Sequence, residues 1–303
     1  VNIDKLDFLS EQEAYGFVNG CENRYLEDVK KACEISLNGG RIITLCGPSC
    51  SGKTTTARIL DDDFKKLGKE LHSISIDDFY FDRKVLEARS KSSGLPLDYD
   101  SPSTIDLELF GNVIEDIERG GKVLLPKFDF TDGRRTHMEE IYVRDEHVFL
   151  FEGIQAVYPE LVKYLKGHDY TSLFISVEEG ISYEETVFSP RELRFMRRLV
   201  RDARTRGASA EFTFSLWQSV VANEDKNIYP NLDGVDFKIN STMGYEISVI
   251  KPFVLPLLLG ISNESEHKKT ANDIIKKLEN IPVIDSRHVP DESVFREFIG
   301  ERK

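Results

Sequence analysis

The chain has 303 residues, 40% hydrophobic and 31% charged, which is enough to bury a large α/β core. Subtracting 40 basic from 53 acidic side chains leaves a formal charge of −13, which disfavours nucleic acid as the main partner. The longest apolar run, residues 254–259, is interrupted by Pro256 and falls far short of the ~20 residues a membrane helix needs. No membrane partner is expected.

Residues 1–9 mix charged and apolar side chains, with neither a basic stretch nor an apolar one, so no export signal is expected. A first residue that is not Met is compatible with a further domain upstream. Cys21, Cys33, Cys46 and Cys50 form no CxxC pair and have no His at zinc spacing. They read as reduced thiols in a cytoplasmic protein. Cys50, inside the loop described below, is a position where oxidation could block a ligand.

In chain order, residues 1–40 read as a helical lead-in: Tyr25, Val29 and Ala32 share a helical spacing, and Asn38-Gly39-Gly40 supplies the stop. From residue 41 short apolar runs alternate with helix-period segments. The candidate strands are 41–45, 71–76, 148–151, 172–177 and 237–239. Strands apolar on both faces that alternate with helices predict a doubly wound, mostly parallel α/β sheet over 41–243. The acidic run Asp61-Asp62-Asp63 reads as a solvated helix face. A helical extension follows over 244–303, in which Pro252 and Pro256 are expected to break or kink the first helix.

Gly47-Pro48-Ser49-Cys50-Ser51-Gly52-Lys53-Thr54 satisfies G-x-x-x-x-G-K-[ST], and it lies between a strand and a helix, where a phosphate loop works. Glycines let successive N–H groups face phosphate oxygens, and the helix N-terminus adds partial positive charge. Gly47, Ser49, Ser51, Gly52, Lys53, Thr54 and Thr55 are therefore the expected nucleotide-binding residues. Lys53 is assigned to the β- and γ-phosphates of ATP and Thr54 to Mg²⁺. Asp77 and Asp78 follow the second strand at the ligand-binding edge of the sheet, where either could serve as a base or cap the loop. Glu152 ends another buried strand and suits a role in holding Mg²⁺. Seven arginines fall between Arg191 and Arg206. Arg194, Arg198 and Arg201 share a helical face that suits a lid over phosphates, whereas a solvated, salt-bridged helix is the alternative.

Together these motifs resemble the phosphoribulokinase/uridine kinase family of P-loop kinases, in particular its bacterial uridine-kinase-like members. The likeness also rests on Leu97-Asp98-Tyr99-Asp100-Ser101-Pro102, Leu125-Pro126-Lys127-Phe128-Asp129-Phe130, Phe151-Glu152-Gly153, Asn240-Ser241, Tyr245-Glu246 and Arg296-Glu297-Phe298-Ile299-Gly300. The resemblance implies that Asp77 is the base acting on a ribose 5′-hydroxyl and that Glu152 assists Mg²⁺. It implies that Arg198, Arg201 and Arg206 clamp the triphosphate and that Asp100 holds ribose hydroxyls. Tyr80, Tyr99, Phe128 and Phe130 would line the nucleoside pocket, and a homo-oligomer is implied. In some relatives an N-terminal domain like that of threonyl-tRNA synthetase precedes the kinase unit.

The chain departs from the uridine–cytidine kinases in two places: Gly133 stands where they carry a base-reading histidine, and Phe128 stands where they carry a tyrosine. Arg134 and Arg135 could instead hold a phosphorylated or acidic substrate. The expectation is a kinase whose acceptor is a nucleoside, with other metabolite alcohols (a sugar phosphate, pantothenate or glycerate) or a non-catalytic nucleotide sensor as alternatives.

Overall fold

The computed structural model describes residues 1–4, 10–94 and 98–302; Leu97 of the resemblance motifs and part of the N-terminal lead-in lie outside these. Five strands form the central sheet: β1 (Ile42–Cys46), β2 (Glu70–Ser75), β5 (His147–Glu152), β6 (Tyr170–Ser176) and β9 (Phe237–Asn240). They lie in the order β2-β5-β1-β6-β9, and every neighbouring pair is parallel. All five match strands expected from the sequence; β1 and β5 are apolar on both faces, as buried parallel strands require, whereas edge strand β2 alternates. β1, fully buried, is the central strand, with later strands added on either side of it, so its C-terminal loop opens at the crevice where such sheets bind ligands.

Helices cover both faces. α1 (Glu11–Ser36) begins at a capping box formed by Ser10 and Glu13 and buries Val18, Tyr25, Val29 and Ala32. These residues belong to the same core as α2 (Lys53–Lys66), α6 (Pro190–Arg206) and α8 (Glu246–Leu259). The other face is covered by α4 (Leu107–Arg119) and α5 (Pro159–Val162), with Phe110, Ile114 and Ile117 packed on Phe149 and Phe151. α3 (Arg83–Ser93), α7 (Ala210–Asn223), α9 (Lys268–Leu278) and α10 (Arg296–Ile299) complete the helical set among the described residues. On α2 the acidic run is solvated as expected, with Asp61 and Asp63 paired to Lys65 and Lys66.

Three features differ from the sequence expectation. An antiparallel hairpin, β3 (Gly121–Asp129) with β4 (Arg134–Val143), projects from the sheet, and a smaller one pairs β7 (Ile181–Tyr183) with β8 (Thr186–Phe188). The larger hairpin bears charged side chains on its exposed face, Lys122 against Glu140 among them, so it lacks the apolar runs that mark the sheet. The third is α8, which runs unbroken through Pro252 and Pro256. The Ser248 carbonyl, whose helical donor Pro252 lacks, accepts from the Ile284 N–H at 3.2 Å instead, while Ile247, Ile250, Val254 and Leu258 anchor the helix in the core.

Candidate active site

The loop between β1 and α2 has the form a phosphate cradle requires. Cys50 and Gly52 adopt left-handed backbone, φ 62° and 99°, so the chain reverses tightly before α2 begins at Lys53. A Cβ on Gly47 would lie 2.4 Å from the Ile175 carbonyl oxygen, so only glycine fits against β6. Lys53 Nζ donates to the Gly47 carbonyl at 2.7 Å, holding the ammonium over the loop. Thr54 is exposed to the cavity, and Thr55 Oγ1 donates to Glu297 at 3.2 Å. Thr56, buried, braces the loop from behind through the Gly52 carbonyl and the Tyr25 hydroxyl, both at 2.8 Å. The Cys50 thiol is buried, and burial pushes its pKa up. The reactive thiolate is therefore disfavoured at this position, where oxidation would block the loop. All four cysteines are free.

A cavity of about 390 Å³ opens over this loop, lined across from it by Ser75, Asp77, Tyr80, Asp100, Glu152 and Gln155. The two carboxylates that follow β2 separate. Asp77 faces the cavity, where its Oδ1 accepts from Gln155 Nε2 at 3.1 Å. Asp78 is buried and accepts from the Phe128 N–H at 3.0 Å, tying the β3 hairpin to the sheet. Gln155 Nε2 also lies 3.2 Å from the Tyr80 hydroxyl, which in turn donates to the Tyr99 carbonyl at 3.0 Å. Burial pushes the Glu152 carboxyl above the usual range; Lys53 opposes this and Asp77 adds to it. Asp100 is raised by burial and by the neighbouring Asp98 and Asp77. Thr54, Asp77 and Glu152 offer a hydroxyl and two carboxylates on one cavity, the hard oxygen donors that suit Mg²⁺.

The arginines of α6 divide by burial. Arg194, 1% exposed, donates to both Glu224 oxygens at 2.7 Å and to the Ser49 carbonyl at 3.0 Å. Arg197, fully buried, is bound by Glu246 and by the Ser241 carbonyl. Arg194 is therefore committed to an internal ion pair that braces the phosphate loop, and it does not face the cavity with its expected companions. Arg198, Arg201 and Arg206 do line the cavity, gathered around the one buried carboxylate of Asp202 at 3.2, 2.8 and 3.3 Å. One carboxylate among three guanidiniums leaves net positive charge on that wall. Arg198 also donates to Ser49 Oγ at 2.9 Å.

The expected pocket aromatics form a chain of edge-to-face rings. Tyr80 contacts Tyr99 and Phe128, and Phe128 contacts Phe130. Only Tyr80 of these lines the cavity itself; Phe130, 58% exposed, is at the outer end. Arg135 is not brought to the site. Its guanidinium pairs with Asp106 at 2.8 Å, and it lines a separate groove with Phe81 and His137. Sequence reasoning missed Gln155, Asn223, Glu224 and Glu297, which also line the cavity. Glu224 opens a π-helical turn, Glu224–Ile228, that ends α7 and accepts from the Ser49 N–H at 3.2 Å. No motif flags it, because its role depends on an α7–loop contact distant in sequence.

The sequence profile described as the phosphoribulokinase / uridine kinase family matches residues 42–248, more than half of the chain and all of the sheet just described. The chain belongs to this family. Members of the phosphoribulokinase/uridine kinase family are kinases that pass phosphate to an alcohol, which implies ATP as a substrate. Among curated relatives, the uridine kinase of Staphylococcus haemolyticus is 30% identical over 183 residues, covering 59% of this chain and 77% of that protein. The uridine kinase of Ureaplasma parvum serovar 3 is 27% identical, covering 60% and 78%. Among solved structures, a possible uridine kinase from Bacillus stearothermophilus aligns with a TM-score of 0.46 at 15% identity, covering 71% of this chain and 98% of that one. Phosphoribulokinase from Rhodobacter spheroides aligns with 0.45 at 14% identity, covering 80% and 98%. No helix among the described residues is long and apolar enough to cross a membrane.

Proposed function

We propose that this kinase transfers the γ-phosphoryl group of ATP to the 5′-hydroxyl of a nucleoside of the uridine or cytidine type, in the cytoplasm. The observation that carries the reading is one cavity with the phosphate loop on one wall, Asp77 across from it, and Tyr80 and Asp100 beyond. Lys53 and the loop N–H groups hold the triphosphate. Gln155 fixes the Asp77 carboxylate, which accepts the acceptor's hydroxyl proton as the new O–P bond forms and the bond to the β-phosphate oxygen breaks, releasing ADP. Arg198, Arg201 and Arg206 neutralise charge on the transferring group. Thr54, Glu152 and Asp77 would hold Mg²⁺, which would supply charge neutralisation to the triphosphate. Asp100 accepts from ribose hydroxyls, and the Tyr80 ring, backed by Phe128, faces the base.

Arg135, the group that would have favoured a phosphorylated acceptor, is bound to Asp106 away from the cavity, which supports an uncharged acceptor. The test is ADP release from ATP–Mg²⁺ across nucleosides, sugar phosphates and small hydroxy acids. Turnover with uridine or cytidine is expected. A signal only with a sugar phosphate or hydroxy acid would overturn the nucleoside assignment, and hydrolysis that no acceptor accelerates would overturn the transfer reaction.

A further inference from the structure

At the end of the sheet opposite the cavity, the first residues of β2 and β5 bring together Glu70, His72 and His147. The pleat puts Glu70 and His72 on one face of β2, two residues apart, and the parallel register sets His147 directly beside Glu70. His147 Nε2 lies 3.4 Å from one Glu70 oxygen and His72 Nε2 lies 3.7 Å from the other. One ligand atom from each of the three residues falls within 4.8 Å of the others. Zinc bonds of ~2.0–2.1 Å at the tetrahedral angle separate ligand atoms by about 3.3–3.4 Å, so the two Glu70 pairs are already near ligating distance. Glu70 is half exposed, and its carboxylate is held by an exposed partner, Arg144. His72 Nε2 is buried and has no hydrogen-bond partner, and the Phe149 ring floors the group.

A cation already sits on these atoms. Arg144 donates from Nε to His147 Nε2 at 2.8 Å and from Nη2 to Glu70 at 2.7 Å. The Arg144 hydrogen bond is made by a lone pair on His147 Nε2, the tautomer that ligation through Nε2 requires, with the proton on a buried Nδ1 that has no partner. Arg144 is 56% exposed and has a second partner in Glu146 at 2.9 Å, so it can leave Glu70 and His147 without becoming unpaired.

We propose that Glu70, His72 and His147 form a site for a divalent transition metal of the zinc class, with water in the fourth position, and that Arg144 occupies it as a competing cation. The donor set of two imidazoles and a carboxylate suits Zn²⁺ over Mg²⁺. The metal ties edge strand β2 to β5 roughly 15–20 Å from the phosphate loop, counting strand rise.

The experiment titrates ZnCl₂ into the chelator-stripped full chain by calorimetry, for the unmodified protein, His72→Gln and Arg144→Ala, with the thermal midpoint read alongside. One equivalent is expected in the unmodified protein, accompanied by a rise in the midpoint. His72→Gln should lose both. Arg144→Ala should bind about two- to fivefold tighter, the factor corresponding to removal of a competing exposed ion pair. No binding in the unmodified protein, or an unchanged isotherm in His72→Gln, overturns the proposal; the latter places the metal elsewhere, for example on the acidic cavity. Arg144→Ala binding no tighter than the unmodified protein overturns the competition. His72 is only partly buried, so its glutamine variant keeps the test valid even if changes at buried His147 prevent folding.

Discussion

Replacing Arg194 by Met removes the cation of a buried pair while leaving its carboxylate in place. Arg194 and Glu224 are 1% and 2% exposed, with two contacts of 2.7 Å, and Glu224 also accepts from the Ser49 N–H. Glu224 borders the cavity but its side chain is only 2% exposed, so the expected loss is that of a largely uncompensated buried charge, about 3–5 kcal/mol. Unfolding entropy of ~2.1 cal/mol/K per residue gives this chain about 0.6 kcal/mol per degree, so the midpoint should fall by about 5–8 °C. The double change Arg194→Met with Glu224→Gln neutralises the charge and keeps an acceptor for Ser49, and should recover at least half of the loss. ATP should protect the single variant less than the parent, because the Ser49 carbonyl loses its donor and the loop loosens. Circular-dichroism melts with and without ATP read both effects. A single variant within ~1 kcal/mol of the parent, or a double variant no more stable than the single, would refute the view that this pair braces the loop.

Lys53→Ala should abolish both ATP protection and turnover, whereas Asp77→Asn should keep ATP protection and lose about 10²–10⁴-fold in kcat; near-normal turnover in the second would remove Asp77 as the base. Gln155→Leu takes the hydrogen bond from Asp77 and should cost about tenfold or more in kcat, as expected for a bond of ~1.5–3 kcal/mol to a charged group, with ATP binding unchanged in a fluorescence titration. Gly47→Ala pushes a methyl against the Ile175 carbonyl and the Ser51 hydroxyl, so calorimetry should find ATP affinity sharply reduced and stability lowered by ~1–3 kcal/mol. Burial raises the Glu22 carboxyl, against hydrogen bonds from Ser293 and Tyr245. The folded state therefore holds this proton to higher pH than the unfolded chain does. The contribution of Glu22 to stability is full below an unfolded pKa of ~4.3 and is lost as pH rises through the folded value. Urea midpoints across that window should fall less steeply in Glu22→Gln than in the parent; parallel curves would contradict the assignment.

Local patterns were enough to define the sheet and the loop. Short runs with apolar residues identify the five strands, fully buried in β1 and nearly so in β5 and alternating in edge strand β2, and a phosphate loop needs its glycines and lysine at fixed spacing. The polar-faced β3–β4 hairpin escaped because its exposed side shows no such run. Roles set by packing were not legible. Asp77 and Asp78 are equivalent in sequence, yet one faces the cavity and the other caps β3, a choice made by the hairpin that Phe128 brings to Asp78. Arg194 and Arg198 lie one turn apart on a common face, yet Glu224 takes the first and the cavity takes the second. Arg135 was drawn away by Asp106, and Glu70, His72 and His147 meet only through strand register. Sequence by itself determined which backbone segments form the sheet and the phosphate cradle, since those depend on neighbours a few residues apart. Only the tertiary structure decided which charged side chains are spent on each other and which remain for a ligand, because that depends on partners far apart in the chain.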